Sequence, residues 1–536
     1  MKTRIRLRVG CVIPVVGLLL LVSGQASAAT LNVCPSGCPY TQLAPALAAA
    51  HNGDTIRIGP GTYDGGVTID VSVKLIGAGA GRTVISGGGP VVTIGEFGAT
   101  KEPTVSIDGV TITGGITRSS PESTPFTGEE GVFAAGGGVE IPPNADFSGG
   151  ATVTIANSVI TGNRVAPSDT APFGPPCPGG PCPFAFAEGG GIDSWGTLML
   201  ADSTVSNNRI GSASGLSTLA SDADGGAIAN RLGPLTIVGS VIDGNRASAT
   251  GQNGRFAEGG AIMAFAGTVK VSNSSVTANS AALAASLPNS VELLANGGGM
   301  HISSDVSTAT ISNTTISGNS VSMTNSVGNA EAFAGGILVD LDVDFTMGNS
   351  VVADNSVNSA TLAGSSGDAE GDSGAGALLG TISNTRFTGN TVSVTASAGD
   401  ATAFAGAMID FGSIMNSLIS DNHVHASSLN GKVFAAGAIV VDEPGLTLRN
   451  SEVGRNTTDA SGASGSAQGG GVFDAPIADG PPGGPLRLVN SQVTANALTG
   501  SAGIARQGGG LYIQSLPLTS THSVIANNSP DQCFGC

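Results

Sequence analysis

The sequence predicts an all-β fold, a single-stranded parallel β-helix (solenoid) preceded by a short N-terminal capping helix. Three observations predict it. A seven-residue phrase closes on Asn eleven times, at Asn163, Asn208, Asn245, Asn279, Asn319, Asn355, Asn390, Asn422, Asn456, Asn496 and Asn528, at intervals of 32 to 45 residues. Alternating apolar residues run up to each phrase, which is the period of a half-buried strand. Each unit opens on paired glycines and an aliphatic residue, as at Gly189-Gly190-Gly191-Ile192, Gly225-Gly226-Ala227-Ile228, Gly259-Gly260-Ala261-Ile262 and Gly508-Gly509-Gly510-Leu511. A phrase recurring at this period marks a stacked array, in which each unit buries its apolar face on its neighbours.

The first copy of the phrase is Asn157-Ser158-Val159-Ile160-Thr161-Gly162-Asn163. Its second place is Ser or Thr in every copy, from Ser158 to Ser523, and its fourth is apolar, from Ile160 to Ile525. Two residues ahead of it sits a further apolar residue, such as Ile155, Leu200, Ile237 or Val271. The unit therefore reads as a short strand, a turn, a second strand, a third short strand ending at Asn, and a variable loop. Roughly twelve coils at the usual strand spacing make a rod of about 55–60 Å. At a bend the chain leaves backbone groups without ladder partners, and an inward Asn amide can satisfy them while bonding the Asn above and below. The Gly pairs supply positive φ or close approach at another corner. Phe133, Phe186, Phe256, Phe333, Phe404 and Phe434 each precede the Gly pair or its Gly-Ala equivalent by two or three residues, and read as one aromatic stack. The loops after Asn are rich in Ala, Ser, Asn and Gly; two of them, Ser320–Val327 and Thr391–Ser397, keep a strand-like alternation and are candidates to extend the sheet.

Along the chain, residues 1–28 read as a secretory signal. Lys2, Arg4, Arg6 and Arg8 precede the apolar run Val12 to Val22, and Ala26-Ser27-Ala28 is the cleavage site. No later stretch is long and apolar enough to cross a membrane as a helix. Loss of the four basic residues takes the formal charge from −18 to −22. That excludes a nucleic-acid partner and fits a soluble extracellular surface, so the expected location is extracellular, cell-surface or periplasmic. The six remaining cysteines form three close pairs, Cys34 and Cys38, Cys177 and Cys182, Cys533 and Cys536, which in an exported chain read as local disulfides. Residues 40–52 read as the capping helix, with Thr41 as cap and Pro45 near the first turn, because an open solenoid end exposes core and strand edges. Residues 29–94 then comprise the cap and first coils, 95–528 the repeats and 529–536 a Cys-containing tail. Gly115 stands where later coils have Asn.

A helix followed by Gly53-Asp54-Thr55-Ile56 and Pro60-Gly61-Thr62-Tyr63 resembles the N-terminal part of right-handed parallel β-helix proteins of the pectate-lyase-like superfamily. The repeats also resemble those of polymorphic outer membrane proteins, marked by Gly-Gly-Ala-aliphatic and Phe-x-x-Asn. The first occurs at Gly225–Ile228 and Gly259–Ile262, the second at Phe387–Asn390. The resemblance implies a right-handed β-helix that is secreted or displayed on a surface, with adhesion as one role. The expected chain carries no transporter barrel after its last coil and does not export itself.

The same resemblance calls for a test of polysaccharide chemistry. Lyases of this fold need acids around calcium and a basic residue, and hydrolases need two close carboxylates. The chain past residue 28 has four lysines, Lys74, Lys101, Lys270 and Lys432, and scattered histidines, of which His423 and His425 share a strand face. The candidate site is a glycan-binding patch over three coils. Arg164, Arg209 and Arg246 follow the closing Asn; Glu188, Asp224 and Glu258 precede the next Gly pair; Trp195 lies in the same region. Stacking makes one row of Arg and one row of acids that flank the loop. Asp368-Ala-Glu370-Gly-Asp372 reads as a solvated loop. No catalytic residue, metal ligand or cofactor is assigned. The sequence thus puts first a non-enzymatic, exported rod with an adhesive or structural role toward a cell-surface glycan or protein. The alternative is a polysaccharide-active lyase or hydrolase, which would require a convergent cluster of acids with a base.

Overall fold

The computed structural model describes residues 28–118, 132–167, 184–211, 220–251, 254–288, 293–474, 485–514 and 517–536. The signal stretch, Cys177, Cys182 and most of the Pro-rich segment lie outside them. The described chain is an all-β parallel solenoid of about eleven full turns. Four sheets run along it, of 24, 14, 11 and 11 strands, called A, B, C and D here. One coil shows the path. Ile192–Ser194 and Thr197–Ala201 belong to sheet A, Thr204–Ser206 to B, Arg209–Gly211 to C and Ala220–Asp224 to D. Each strand pairs in parallel with its counterpart one coil away, as Val153 with Leu198, Ile160 with Val205 and Ala187 with Ala223.

The three-strand unit is therefore too small. The segments between the closing Asn and the Gly pair are mostly not loops but sheets C and D, folded against each other as a second lobe. The physical reason is their alternation. Val165, Ile210, Ala247 and Leu283 from C meet Ala187, Ala223, Ala257 and Ala295 from D in an alanine-rich core. Small side chains let two sheets close on one another without a large apolar payload, and so without a strong sequence signal. The main core, enclosed by sheets A and B, is aliphatic, with Ile155, Ile160, Ile192, Leu200 and Val205 fully buried. A third, smaller cluster of Ala405, Ala436, Val440, Phe473 and Tyr512 fills the corner between D and A in the C-terminal coils.

The phrase owes its spelling to three requirements. Its first residue is left-handed in the described copies, with φ from 48° at Asn157 and Asp202 to 60° at Gly239; Asn, Asp and Gly tolerate this best. The sixth residue is left-handed too, as Gly162, Asn207 and Gly244 show, so two sharp bends bracket the short strand of sheet B. The seventh, Asn, points inward. Asn163 Nδ2 donates to Asn208 Oδ1 at 3.0 Å, and the pattern repeats to Asn496 and Asn528 at 3.0 Å. Each Oδ1 also accepts the backbone N–H one coil back, and each Nδ2 reaches a backbone carbonyl, as Asn208 does to Ile160 at 2.9 Å. Gly115 N–H donates to Asn163 Oδ1 at 3.0 Å, and Gln532 closes the far end on Asn528 at 3.1 Å. The second residue builds a parallel hydroxyl ladder that sequence reasoning left unexplained. Ser203 Oγ accepts Ser158 N–H at 3.2 Å and donates to the Ala201 carbonyl at 2.8 Å.

A helix spans Leu43–Ala48, shorter than the 40–52 expected. Gln42, not Thr41, holds the cap position, and no side chain caps it. Leu43, Ala46 and Leu47 are buried against the first coil. Cys34–Cys38 and Cys533–Cys536 are disulfides. The six phenylalanines do not form one stack. Phe133, Phe186, Phe256 and Phe434 occupy one row of sheet D, and Phe333 and Phe404 a second row two residues on. Lying three or two residues ahead of the corner glycine decides the row. Nor is 368–372 a solvated loop: Ala369–Asp372 is a strand of sheet D, and Asp372 is buried.

Candidate functional site: an acidic corner between two sheets

After each strand of sheet D the chain turns through a left-handed residue, Gly189, Gly225, Gly259 or Gly297, and enters sheet A. The outer face of D and the outer face of this first A strand thus meet in a corner. Alternation sends Ala187, Ala223 and Ala257 into the lobe core, so Glu188, Asp224 and Glu258 face the corner instead. Two residues upstream, Phe186, Asp222 and Phe256 share that face. From sheet A, the aliphatic residues Val139, Ile192 and Met300 enter the main core. The next residues, Glu140, Asp193 and His301, point the other way, into the corner. Arg231 and Asp340 follow at the ends of strands in the same sheet.

This corner is buried and strongly charged. Glu140, Glu188, Asp193, Asp222, Asp224 and His301 are each at most 8% exposed. The Arg231 guanidinium pairs with Glu188 and lies 4.1 Å from the Phe265 ring, with Trp195 and Phe133 at 5.6 and 5.8 Å. Aromatic faces on several sides stabilise a cation withdrawn from water. Phe147 packs edge-on to Trp195 at 6.0 Å. Asn296 Nδ2 donates to Glu258 Oε1 at 3.0 Å. His301 Nδ1 lies 3.6 Å from the same oxygen, and its Nε2 lies 3.2 Å from Asp340 Oδ1. The imidazole is thus held between two carboxylates.

Burial shapes the proton affinities. It raises Asp224 well above the usual carboxyl range, aided by the charges of Glu258 and Asp222. Asp222 is pushed up to about 7, chiefly by burial, with Arg255 opposing and Glu258 adding to the shift. Burial works against a proton on His301, yet the Asp340 hydrogen bond and the charges of Glu258 and Asp340 outweigh it and hold the imidazole above its ordinary value. The Oδ1 atom of Asp224 has no hydrogen-bond partner among the described residues. The arrangement sets Asp224, a buried carboxyl of raised proton affinity, one strand spacing from Glu258, which in turn faces the His301 imidazole.

The structure brings together Glu188, Asp224, Glu258 and Trp195 from the sequence-derived patch. It does not bring Arg164, Arg209 and Arg246 to them. These arginines are in register at the start of sheet C. Their neighbours Val165, Ile210 and Ala247 fill the lobe core, so the Arg side chains leave by the opposite face. The cations beside the corner acids are Arg231 on Glu188, His301 on Glu258 and Arg255 beside Asp222 instead. Sequence reasoning missed Glu140, Asp193, Asp222, Arg231, His301 and Asp340. An acid between two aliphatic residues reads as solvent-facing until sheet D is known to cover it. The available signal was the Ala at every second place of Phe184-Ala185-Phe186-Ala187-Glu188 and Arg255-Phe256-Ala257-Glu258.

His423 and His425 lie on sheet C, their rings stacked 6.4 Å apart and bonded to Thr457 and Asp459. An open groove of about 500 Å³ runs along the turn from sheet A to B, lined by Asn384, Asn416, Asn450, Asn490, Arg386 and Glu452. It is remote from the acidic corner in the coil path. Its asparagines are accounted for by their left-handed backbone.

No family model matches this chain, and no curated protein matches it. Among solved structures it is similar to the A-modules of two mannuronan C-5 epimerases from Azotobacter vinelandii. For AlgE6 the identity is 12%, the match covers 90% of this chain and 92% of that one, and the TM-score is 0.28. For AlgE4 the identity is 12%, the coverage 89% and 93%, and the TM-score 0.27. At that identity and TM-score neither carries an argument about chemistry here.

Proposed function

We propose that the acidic corner is the active site of a polysaccharide-active enzyme that works by acid–base catalysis. One observation carries this reading. The same corner in the C-terminal coils is filled by Val440, Phe473 and Tyr512, which pack as an ordinary apolar cluster. The solenoid therefore does not need charge at this place. Burying carboxyls costs several kcal/mol each when they stay ionised, and clustered groups with displaced proton affinities mark functional sites. In this reading Asp224 donates a proton to the departing sugar oxygen, and Glu258 receives one. His301, held by Asp340, fixes the Glu258 carboxylate, and Arg231 does the same for Glu188. The adhesive or structural role that the sequence put first draws on no feature of this corner. Export belongs to the proposal, since the basic and apolar start of the chain would deliver the enzyme to its polymer; N-terminal sequencing of the secreted protein tests that step. The central test is product release from a glycan panel by the chain purified without residues 1–28. Asp224→Asn and Glu258→Gln are expected to lose turnover without a fall in melting temperature. Full turnover by Asp224→Asn would sink the assignment.

A further inference from the structure

We propose that hydrolysis of the Ala28–Ala29 peptide bond is a maturation step: the α-ammonium it frees on Ala29 pairs with the Asp54 carboxylate and fastens the first strand to the open end of the solenoid. The inference rests on the export step of the reading above and goes beyond it. Its basis is the geometry around Asp54. Ala29 N donates to Asp54 Oδ1 at 2.6 Å, and Thr55 N donates to the Ala29 carbonyl at 2.8 Å. Asp54 is 5% exposed, whereas Ala28 and Ala29 are exposed. The carboxylate is thus fixed against the residue that cleavage after Ala26-Ser27-Ala28 would put first, and the bond to be cut lies open to a peptidase. The other oxygen, Oδ2, accepts the His51 N–H at 2.9 Å. The backbone bonds from His51 and Ala29 hold the Asp54 carboxyl below its ordinary value, so it is ionised at neutral pH. Of the charged groups nearby, the exposed His51 ring is 3.9 Å away, and Arg57 and Lys74 are exposed on the same strand and on the next coil. No Lys or Arg among the described residues pairs with Asp54.

In the uncut chain Ala29 offers this carboxylate one neutral N–H. A signal-type peptidase with water as co-substrate breaks the bond between the Ala28 carbonyl carbon and the Ala29 nitrogen. The water oxygen joins the Ala28 carboxyl, which departs with the leader, and the Ala29 nitrogen takes up protons to become an ammonium at neutral pH. Charge-assisted bonds are roughly twice as strong as neutral ones. What the pair holds is the strand Thr30–Val33, which among the described residues pairs as a strand only with Thr55–Ile58. Its Leu31 and Val33 cover the end of the main core. Chain ends stay poorly ordered unless tied down, and an open sheet end exposes strand edges. The Ala29 amine gains a partner on folding, so its contribution is present below the ordinary α-amino range and is lost as pH rises through its raised value.

The test compares the chain prepared with Ala29 as its free first residue with the same chain begun at Ala28. Brief labelling with acetic anhydride across a pH series, read by the mass of the N-terminal peptide, titrates the α-amine. In the Ala29 chain it should titrate above the usual range of about 7.7–8.0, and near neutral pH it should label about tenfold more slowly than in Asp54→Asn. The same chain unfolded in denaturant is the reference should Asp54→Asn fail to fold. Hydrogen exchange at Leu31–Val33 should be about tenfold slower in the Ala29 chain than in the Ala28 chain, and Asp54→Asn should erase the difference. An amine that titrates in its usual range, or equal exchange in the two chains, overturns the ion pair. The mass of the secreted protein should place its first residue at Ala29; any other first residue overturns the processing step. Failure of the chain to be secreted overturns the export reading and the processing step with it, and the labelling of the prepared chain still decides the ion pair.

Discussion

One corner of this solenoid is built twice, and the two versions differ in chemistry but not in backbone. In the N-terminal coils the row entering sheet A reads Glu140, Asp193, Ala229, Met263, His301; in the C-terminal coils it reads Ile409, Val440, Phe473, Tyr512, Phe534. The facing row of sheet D goes from Glu188, Asp224 and Glu258 to Phe404 and Ala436. In the second version the rings make a continuous ladder, from Phe404–Phe434 at 5.3 Å through Phe434–Phe473 and Phe473–Tyr512 to Tyr512–Phe534 at 4.9 Å. An array fold supplies its own control here. Whatever both corners share serves the fold, and whatever the first has alone costs stability and needs another reason. Asp372 marks the transition, because its in-register neighbours are Phe333 and Phe404.

The largest expected effect would break the comparison at its charged end. Asp224→Asn should lower kcat on a cleaved glycan by about 10²–10⁴-fold, the range for loss of a general acid. The matching change at the apolar end, Phe473→Ala, should leave kcat unchanged and cost about 3–5 kcal/mol, read by denaturant unfolding. Next comes the shared element. Asn245→Ala and Asn422→Ala remove the same ladder bonds in the two halves, and each should cost about 2–4 kcal/mol through backbone groups left unpaired. A large inequality between them would show that the halves are not equivalent in backbone.

A smaller effect of opposite sign is expected where charge intrudes on the apolar run. Asp372→Leu should stabilise by about 1–3 kcal/mol at neutral pH, because burial with Glu370 and Glu331 nearby already holds the Asp372 proton well above its usual range. The pH dependence follows the same sign. An unfolded Asp titrates near 3.9, while folded Asp222 does so at about 7. Between those values the folded state holds the extra proton, so stability falls as pH rises from about 4 to about 7. Melting curves across that range should show the decline, and Asp222→Asn should flatten it. The smallest effect is expected at the arginines of the sequence-derived patch. Arg209→Ala and Arg246→Ala should change kcat/KM less than about twofold, since both project from the far face of sheet C; a tenfold loss would return them to the site.

Much of this was legible in advance. The phrase with its inward Asn, the Gly pair and the alternating aliphatics report backbone requirements that recur at each coil, and recurrence turns a weak local signal into a strong one. Half of the site was legible too, because Glu188, Asp224 and Glu258 repeat at a fixed place ahead of the Gly pair. The other half was not. Glu140, Asp193 and His301 occupy alternate positions in strands, which is where solvent-facing residues belong. The alternation at Ser320–Val327 and Thr391–Ser397 marked two strands of sheet C in advance, but most of sheets C and D were hidden for a related reason, since alanine inside a lobe core carries little hydrophobic contrast with the serine and glycine around it.

The sequence by itself determined the coil, because each coil is closed by local constraints: two left-handed bends, an amide and a hydroxyl bonded to the next copy, and an aliphatic core. The tertiary structure alone decided which side of each strand is covered. That depends on where the chain travels after the closing Asn, and the folding back of sheet D onto sheet A joins residues from six coils along one corner. Pairings between coils fix neighbours at one strand spacing, but the angle between two sheets decides whether an outward carboxylate meets water or another carboxylate.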